Sequence, residues 1–238
     1  MGFVSPPTSG RTFKVRRSVR LADMDNDGRL RLDALARYLQ DAAIDDVRET
    51  GWGLPDHLWF IRRVEIEIEA PFLADTSVEL VTWSSGLAAI AAARRWSLRG
   101  DAGGRAEVDS VWIHLGPDGR PARIESFGVY ADAAGGRRVS TKIELPAPPD
   151  DGTTFAWPLR STDIDLHDHV NNAVYWQAVE HRLTALGFDP RRPLGARLDY
   201  GDPVSLGDAV EVTEWMHDGV YSAVFAVDGR AKAFARIA

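Results

Sequence analysis

The chain contains no cysteine. That absence excludes disulfides, thiolate-bound zinc, iron–sulfur clusters and a cysteine nucleophile. It also lacks any apolar run near the ~18 residues that a membrane-spanning helix needs. The longest such run, residues 86–93, is short and alanine-rich. The opening MGFVSPPTSG has no charged segment followed by an apolar one, so no secretory signal is expected. Pro6 stands where a myristoylation motif needs Ser or Thr. Basic charge is scarce: 28 Lys and Arg face 35 acids, a net charge of −7. Neither the part up to Asp150 nor the part after it is basic, which argues against nucleic acid as a partner. Several catalytic signatures are missing too: Gly-x-Ser-x-Gly, His-Glu-x-x-His, the Walker loop and Gly-x-Gly-x-x-Gly. What is left is ordinary globular composition, 45% hydrophobic and 26% charged. The expectation is a cytoplasmic enzyme or binding protein with no membrane span.

What the sequence does contain is a repeat. Val19-Arg-Leu-Ala-Asp23-Met-Asp25 matches Leu159-Arg-Ser-Thr-Asp163-Ile-Asp165 as apolar-Arg-x-x-Asp-x-Asp. A helical pattern follows each. In 33–50 the residues Leu35, Leu39, Ala42, Ala43 and Val47 fall on one side. In 172–186 the same holds for Tyr175, Ala178, Val179, Leu183 and Leu186. Asp33 and Asn172 are the expected N-caps, and Gly51 and Gly187 the expected stops. Further landmarks recur in order: Pro71, Asp75, Val78 and Trp83 answer to Pro203, Asp208, Val210 and Trp215. Strand patterns at 95–99 and 108–115 answer to 221–227 and 232–237.

Each unit therefore reads as a lead strand, one long helix and several antiparallel strands. The fold class is α+β, with two antiparallel sheets each wrapping one helix and a pseudo-two-fold axis between them. The expected organisation is a flexible tail over 1–12, a first domain over 13–145, a Pro-rich linker over 146–155, and a second domain over 156–238 that carries the catalytic turn.

Two segments hold candidate chemistry. Asp23-Met-Asp25-Asn-Asp27-Gly28 opens like a calcium-binding EF-hand loop, but Ala34 stands where that loop needs a bidentate Glu. A turn into a helix is the plainer reading, with Gly28 left-handed and the aspartates as caps. In the second copy, Asp165-Leu-His167-Asp168-His169-Val-Asn171-Asn172 gathers imidazoles, carboxylates and amides ahead of a helix N-terminus. Asp165 and His169 can activate water or pass protons. Free backbone N–H groups at the helix start can stabilise an oxyanion. A helix-capping turn with solvated histidines is the bland alternative. A zinc or iron site on Asp165, His167 and His169 is another, although donors so close in an extended turn seldom converge on one ion.

The run Arg160-Ser-Thr-Asp163-Ile-Asp165-Leu-His167-Asp-His169-Val-Asn171-Asn172-Ala-Val-Tyr175 resembles the signature of acyl-ACP thioesterases of plastids and bacteria. So do residues 28–41, Trp59-Phe-Ile-Arg-Arg63, Val81-Thr-Trp83 and Ser110-Val-Trp112. The resemblance spans about residues 13–238 and implies a tandem hot-dog fold. It implies hydrolysis of the thioester between a fatty acyl chain and acyl carrier protein, with no cofactor and no metal. Asp165 matches the catalytic aspartate, as nucleophile or water-activating base, and His169 the catalytic histidine. His167 falls where the family usually has Asn. Asn171 and Asn172 are candidate oxyanion or positioning residues. The position of the plant enzymes' catalytic Glu is Pro203 here, which leaves Asp202 as the candidate acid partner. The implied substrate is fatty acyl-ACP, or acyl-CoA by an alternative reading. A non-catalytic acyl-binding protein is a third reading, and the chain is expected as a monomer with an internal pseudo-dimer or as a homodimer. The arginine pairs 62–63, 94–95, 137–138 and 191–192 are candidates for meeting an acidic carrier.

Overall fold

The computed structural model describes residues 4–52, 58–189 and 191–238. Residues 1–3 of the expected tail lie outside the described residues. The first copy runs β1 (Thr12–Ser18), α1 (Leu32–Thr50), β2 (Leu58–Ala70), β3 (Ser77–Ala88), β4 (Ala91–Gly100) and β5 (Arg105–Leu115). A connection bearing the one-turn helix α2 (Ala131–Ala134) leads onward. The second copy repeats the order: β6 (Thr153–Trp157), α3 (Asn172–Ala185), β7 (Leu194–Tyr200), β8 (Val210–His217), β9 (Val220–Val227) and β10 (Arg230–Ile237).

The strands form one antiparallel sheet in the order β1-β3-β4-β5-β2-β7-β10-β9-β8-β6. Read from either end, the two halves have the same sequence of elements. The expected two sheets are thus joined edge to edge through β2 and β7, which hides two edges that would otherwise recruit other chains. The seam has its own symmetry. Val64 pairs with Leu198, Glu65 with Arg197 and Ile66 with Ala196. A shift of 132 residues carries Glu65 onto Arg197, so the pseudo-two-fold axis passes through that pair. Arg197 Nη1 lies 3.6 Å from Glu65 Oε1.

The period-2 pattern of β2 buries Val64, Ile66 and Ile68 on the helix side and turns Glu65, Glu67 and Glu69 away. On α1 the 3.6 period buries Leu32, Leu35, Leu39 and Ala42. The helix stops at Gly51, whose φ of 64° is left-handed and costs glycine little. One apolar cluster includes both helices and both half-sheets. Trp176 of α3 is fully buried in it, and truncation to Ala there would cost about 3–5 kcal/mol.

Four expectations need correction. Helix α1 starts at Leu32, so Asp33 lies inside the first turn and is not the cap. Asn171, not Asn172, caps α3. Leu186 lies beyond the last helical residue and is half exposed, because the chain has already turned toward Gly187. The tail and linker are shorter than expected: β1 already includes Thr12, and Arg11 Nε bonds Asp46 Oδ1 at 2.6 Å, while β6 begins at Thr153 inside the proline-rich stretch.

Candidate active site

Both copies build the same turn in front of the helix. Asp163 Oδ2 accepts the Arg160 N–H at 2.8 Å, as Asp23 Oδ2 accepts that of Arg20 at 2.9 Å. The Asp165 N–H donates to the His169 carbonyl at 2.9 Å, as that of Asp25 does to Arg29 at 2.8 Å. Single bridges, Ile164 to Val170 and Met24 to Leu30, close each turn. The tip must adopt a left-handed residue. The first copy uses Gly28 at φ 78°, and the second uses Asp168 at φ 61°.

A cleft of about 100 Å³ opens on the second turn. Asp165, His167, His169, Asn172 and Asp202 all line it. Its far wall comes from the first copy: Trp59, Phe60 and Ile61 of β2 and Trp112 of β5. The mouth therefore lies between the two copies. Phe60 stands edge-on to His169 at 5.6 Å between centroids and 6.3 Å from His167. The Asp165 Oδ1 accepts the His167 N–H at 2.9 Å. Among the described residues its Oδ2 has no hydrogen-bond partner, and neither does the buried Nδ1 of His169. No hydrogen bond joins the Asp165 carboxylate to the His169 ring within this set. A buried atom without a partner on a cleft wall, as His169 Nδ1 is, can be engaged by a bound molecule, and the Asp165 Oδ2 beside it is open.

Asn171 does not line this cleft. Its Oδ1 accepts the Ala173 N–H at 2.9 Å, so the side chain serves as the helix cap. The expected backbone oxyanion hole is also largely occupied. The N–H of Asn171 goes to the Asp163 carbonyl, that of Ala173 to the cap, and that of Val174 to the Asn171 carbonyl. Asp202 is exposed, with Oδ2 at 3.4 Å from Lys232 Nζ, and both stand at the cleft edge. Tyr200 is buried behind it, and desolvation drives its hydroxyl well above the ordinary range. Its O–H donates to the Asn172 carbonyl at 3.0 Å.

A smaller apolar hollow, about 20 Å³, shares Ile61, Trp112, Asn172 and Tyr200 with the cleft. It runs inward between α1 and α3 to Ala36, Leu39, Val64 and Trp96. Of these lining residues sequence reasoning assigned only Asn172 to the site, and it did not assign Phe60, Lys232 or Gln40. The Trp59-Phe-Ile segment was visible only as part of the resemblance.

The EF-hand-like acids are otherwise engaged. Asp23 Oδ2 accepts from the Tyr38 hydroxyl at 2.7 Å, and Asp25 accepts from Arg29. The arginine pairs are partly committed as well. Arg94 bonds Asp46, Arg137 bonds the Ser85 and Ala133 carbonyls, and Arg95 is buried beside Glu107. Arg191 and Arg192 are exposed, near Asp27 and Asp189.

Comparison with known proteins decides the class. The family model for the acyl-ACP thioesterase N-terminal domain matches residues 10–126, and that for the C-terminal domain matches residues 147–228. The chain belongs to the acyl-ACP thioesterases. It is a thioester hydrolase acting on fatty acyl-ACP. An uncharacterized protein of Mycobacterium tuberculosis is 29% identical over 241 residues, covering 99% of this chain and 96% of its own length. The fold is shared with solved structures. A putative oleoyl thioesterase of Lactobacillus plantarum superposes with a TM-score of 0.80 at 19% identity, covering 97% of this thioesterase and 96% of its own chain. A 12:0-ACP thioesterase of Umbellularia californica gives 0.73 at 17%, with 95% and 96% covered. The tandem hot-dog architecture implied by the resemblance, and in agreement with the repeat, is the architecture of this thioesterase. Among the described residues no helix is long and apolar enough to cross a membrane.

Proposed function

We propose that the cleft at the start of α3 hydrolyses a fatty acyl thioester, with Asp165 and His169 as the reacting pair. The observation that carries this is the open Asp165 Oδ2, which shares the cleft with His169 above an apolar hollow. Asp165 takes a proton from a water molecule, whose oxygen attacks the thioester carbonyl carbon. The carbonyl oxygen becomes an oxyanion within reach of Asn172. Collapse breaks the C–S bond, and His169 delivers a proton to the leaving sulfur. The products are a free fatty acid and the carrier thiol. His167 stands where the family usually has Asn and offers a ring N–H as the donor.

The alkyl chain enters at the apolar hollow between the helices, which at about 20 Å³ must widen to take more than its first carbons. Each CH₂ buried there contributes about 0.8 kcal/mol. Asp202 and Lys232 stand where the carrier arm enters. Acyl carrier protein in the cytoplasm is the carrier we infer, and acyl-CoA is the competitor that a test must include. The measurement is turnover of matched acyl-ACP and acyl-CoA panels with metals chelated, for the wild type and Asp165→Asn. The expected result is acyl-ACP turnover that Asp165→Asn abolishes. Near-wild-type turnover by that variant defeats the site assignment. Faster acyl-CoA turnover makes CoA thioesters the preferred of the two substrates.

A further inference from the structure

A shift of 140 residues relates the two turns and their helices. It carries Asp25 onto Asp165, Arg29 onto His169, Leu32 onto Asn172 and Gln40 onto Glu180. Position 40 on α1 and position 180 on α3 each reach across to the first residue of the opposite helix. Glu180 Oε2 accepts the Leu32 backbone N–H at 2.9 Å, and its Oε1 accepts from Arg29 at 2.6 Å. Gln40 behaves differently. Its Nε2 donates to the side-chain Oδ1 of Asn172.

We propose that Gln40, supplied by the copy without the reacting pair, is a positioning residue for the site in the other copy. By donating to Oδ1 it fixes which way the Asn172 amide faces, and so presents Asn172 Nδ2 to the thioester oxyanion. The inference rests on the hydrolytic reading above.

The reasoning is one of donor and acceptor. An Asn amide has one acceptor end and one donor end, and its neighbours decide which points where. With Oδ1 held by Gln40, Nδ2 is the end left over, and it has no partner among the described residues. Asn172 lines both the catalytic cleft and the hollow that Gln40 lines. The backbone N–H groups of Ala173 and Val174 are already engaged, so the donors left at the start of α3 for a developing charge are those of Asn172, its side-chain amide and its own N–H. A carboxylate at position 40 could not donate to Oδ1. It would accept from Nδ2 or from the Asn172 N–H, as Glu180 does at Leu32, and would set a negative charge beside the oxyanion.

The test compares wild type, Gln40→Met and Gln40→Glu on one acyl-ACP substrate, reading kcat and KM separately across pH 5 to 9, with melting temperature as the check on folding. Methionine keeps the length and removes the donor. The expected result for Gln40→Met is a loss of kcat of about 10- to 100-fold with KM within about threefold. For Gln40→Glu the expected loss at pH 8 is 100-fold or more. It shrinks as pH falls, because a protonated carboxyl donates again. The other titratable groups facing this region are Asp165, His167 and His169 of the turn, Tyr175 of α3, Tyr200 behind it, and Asp202 and Lys232 at the cleft edge. They are present in every variant and cancel in the variant-to-wild-type ratio. A folded Gln40→Met enzyme with wild-type kcat, or a Gln40→Glu ratio flat with pH, overturns the proposal. A wild type that hydrolyses no acyl thioester overturns the hydrolytic reading and this inference with it.

Discussion

The two helix N-termini in this molecule are equivalent by fold and opposite in chemistry. At the start of α1 the charges close on one another. Asp25 Oδ1 accepts the N–H groups of Asp27 and Arg29, and its Oδ2 accepts Arg29 Nε at 3.0 Å. Arg29 is buried and continues to Glu180. Asp33 accepts from Arg31, Arg37 and Gln177. Both carboxylate oxygens of Asp25 are engaged by donors of its own turn, and the Arg29 cation on Oδ2 weakens it as a base. At the start of α3 the matching positions hold His169, Asn172, Ala173 and Gln40, and one carboxylate oxygen of Asp165 is left open. The difference teaches that one scaffold can close its charges into a structural plug or, on the proposed reading, leave them open as a reaction site. The choice rests on whether its aspartate meets an arginine.

The largest effect should separate the two aspartates. Asp165→Asn is expected to lower kcat by at least 1,000-fold. Asp25→Asn, its structural counterpart, is expected to leave kcat within about twofold while lowering the melting temperature. Steady-state kinetics and thermal denaturation of the pair decide this. Comparable losses of turnover would mean that the two turns are not chemically distinct.

Next in size is the plug itself. Burial pushes the Glu180 carboxyl up, and Arg29 together with the Leu32 N–H pulls it back down. Arg29→Met removes the cation and leaves two carboxylates facing each other. Removing one partner of a buried pair costs about 3–5 kcal/mol. Urea denaturation should show that loss, with kcat at folded conditions largely kept. A cost below about 1 kcal/mol would mean that the plug is ornamental. Asp33 extends the test to acid. Burial opposes its charge, yet hydrogen bonds from Arg31, Arg37 and Gln177 hold it down to about 2. A depressed carboxyl stabilises the fold fully above the ordinary carboxylate range, and that stability drains away as pH falls toward 2. Asp33→Asn should therefore flatten the stability profile between about pH 4 and 2 relative to wild type. An unchanged acid limb would refute the assignment.

Much of this was legible before the structure because the repeat is written in side chains that the fold requires. The paired Arg-x-x-Asp-x-Asp turns, the two helical periods and the recurring Pro, Asp, Val and Trp landmarks all reflect local hydrogen bonds or burial, which sequence spacing encodes. The turn that lines the cleft also stood out, because His167 and His169 break the repeat where Asp27 and Arg29 stand in the first copy. What stayed hidden lies across the pseudo-two-fold axis. Phe60 and Trp112 reach the second copy's site only because β2 and β7 join the halves. Gln40 reaches Asn172 only because α1 and α3 pack together. The repeat offset maps Gln40 onto Glu180, but nothing in a linear chain says that either residue reads the opposite helix. The role of Asn171 was misassigned for a related reason. Two adjacent asparagines are interchangeable on paper, and only the register of the helix start makes one a cap and the other a wall of the cleft.

The smallest effect concerns the tip of the turn. Gly28 and Asp168 occupy the same left-handed position, at φ 78° and 61°. Glycine adopts that conformation without a steric penalty, whereas an aspartate there carries some backbone strain. If the second turn tolerates strain because Asp168 sets the aim of the cleft-lining His167 and His169 on either side of it, then Asp168→Gly should raise stability by up to about 1 kcal/mol and lower kcat/KM. If the aspartate is merely an acceptable turn residue, stability should rise and turnover should stay put. The paired reading of denaturation midpoint and kcat/KM separates these outcomes. It also asks whether the reactive copy was built by leaving Asp165 open or by reshaping the whole loop around it.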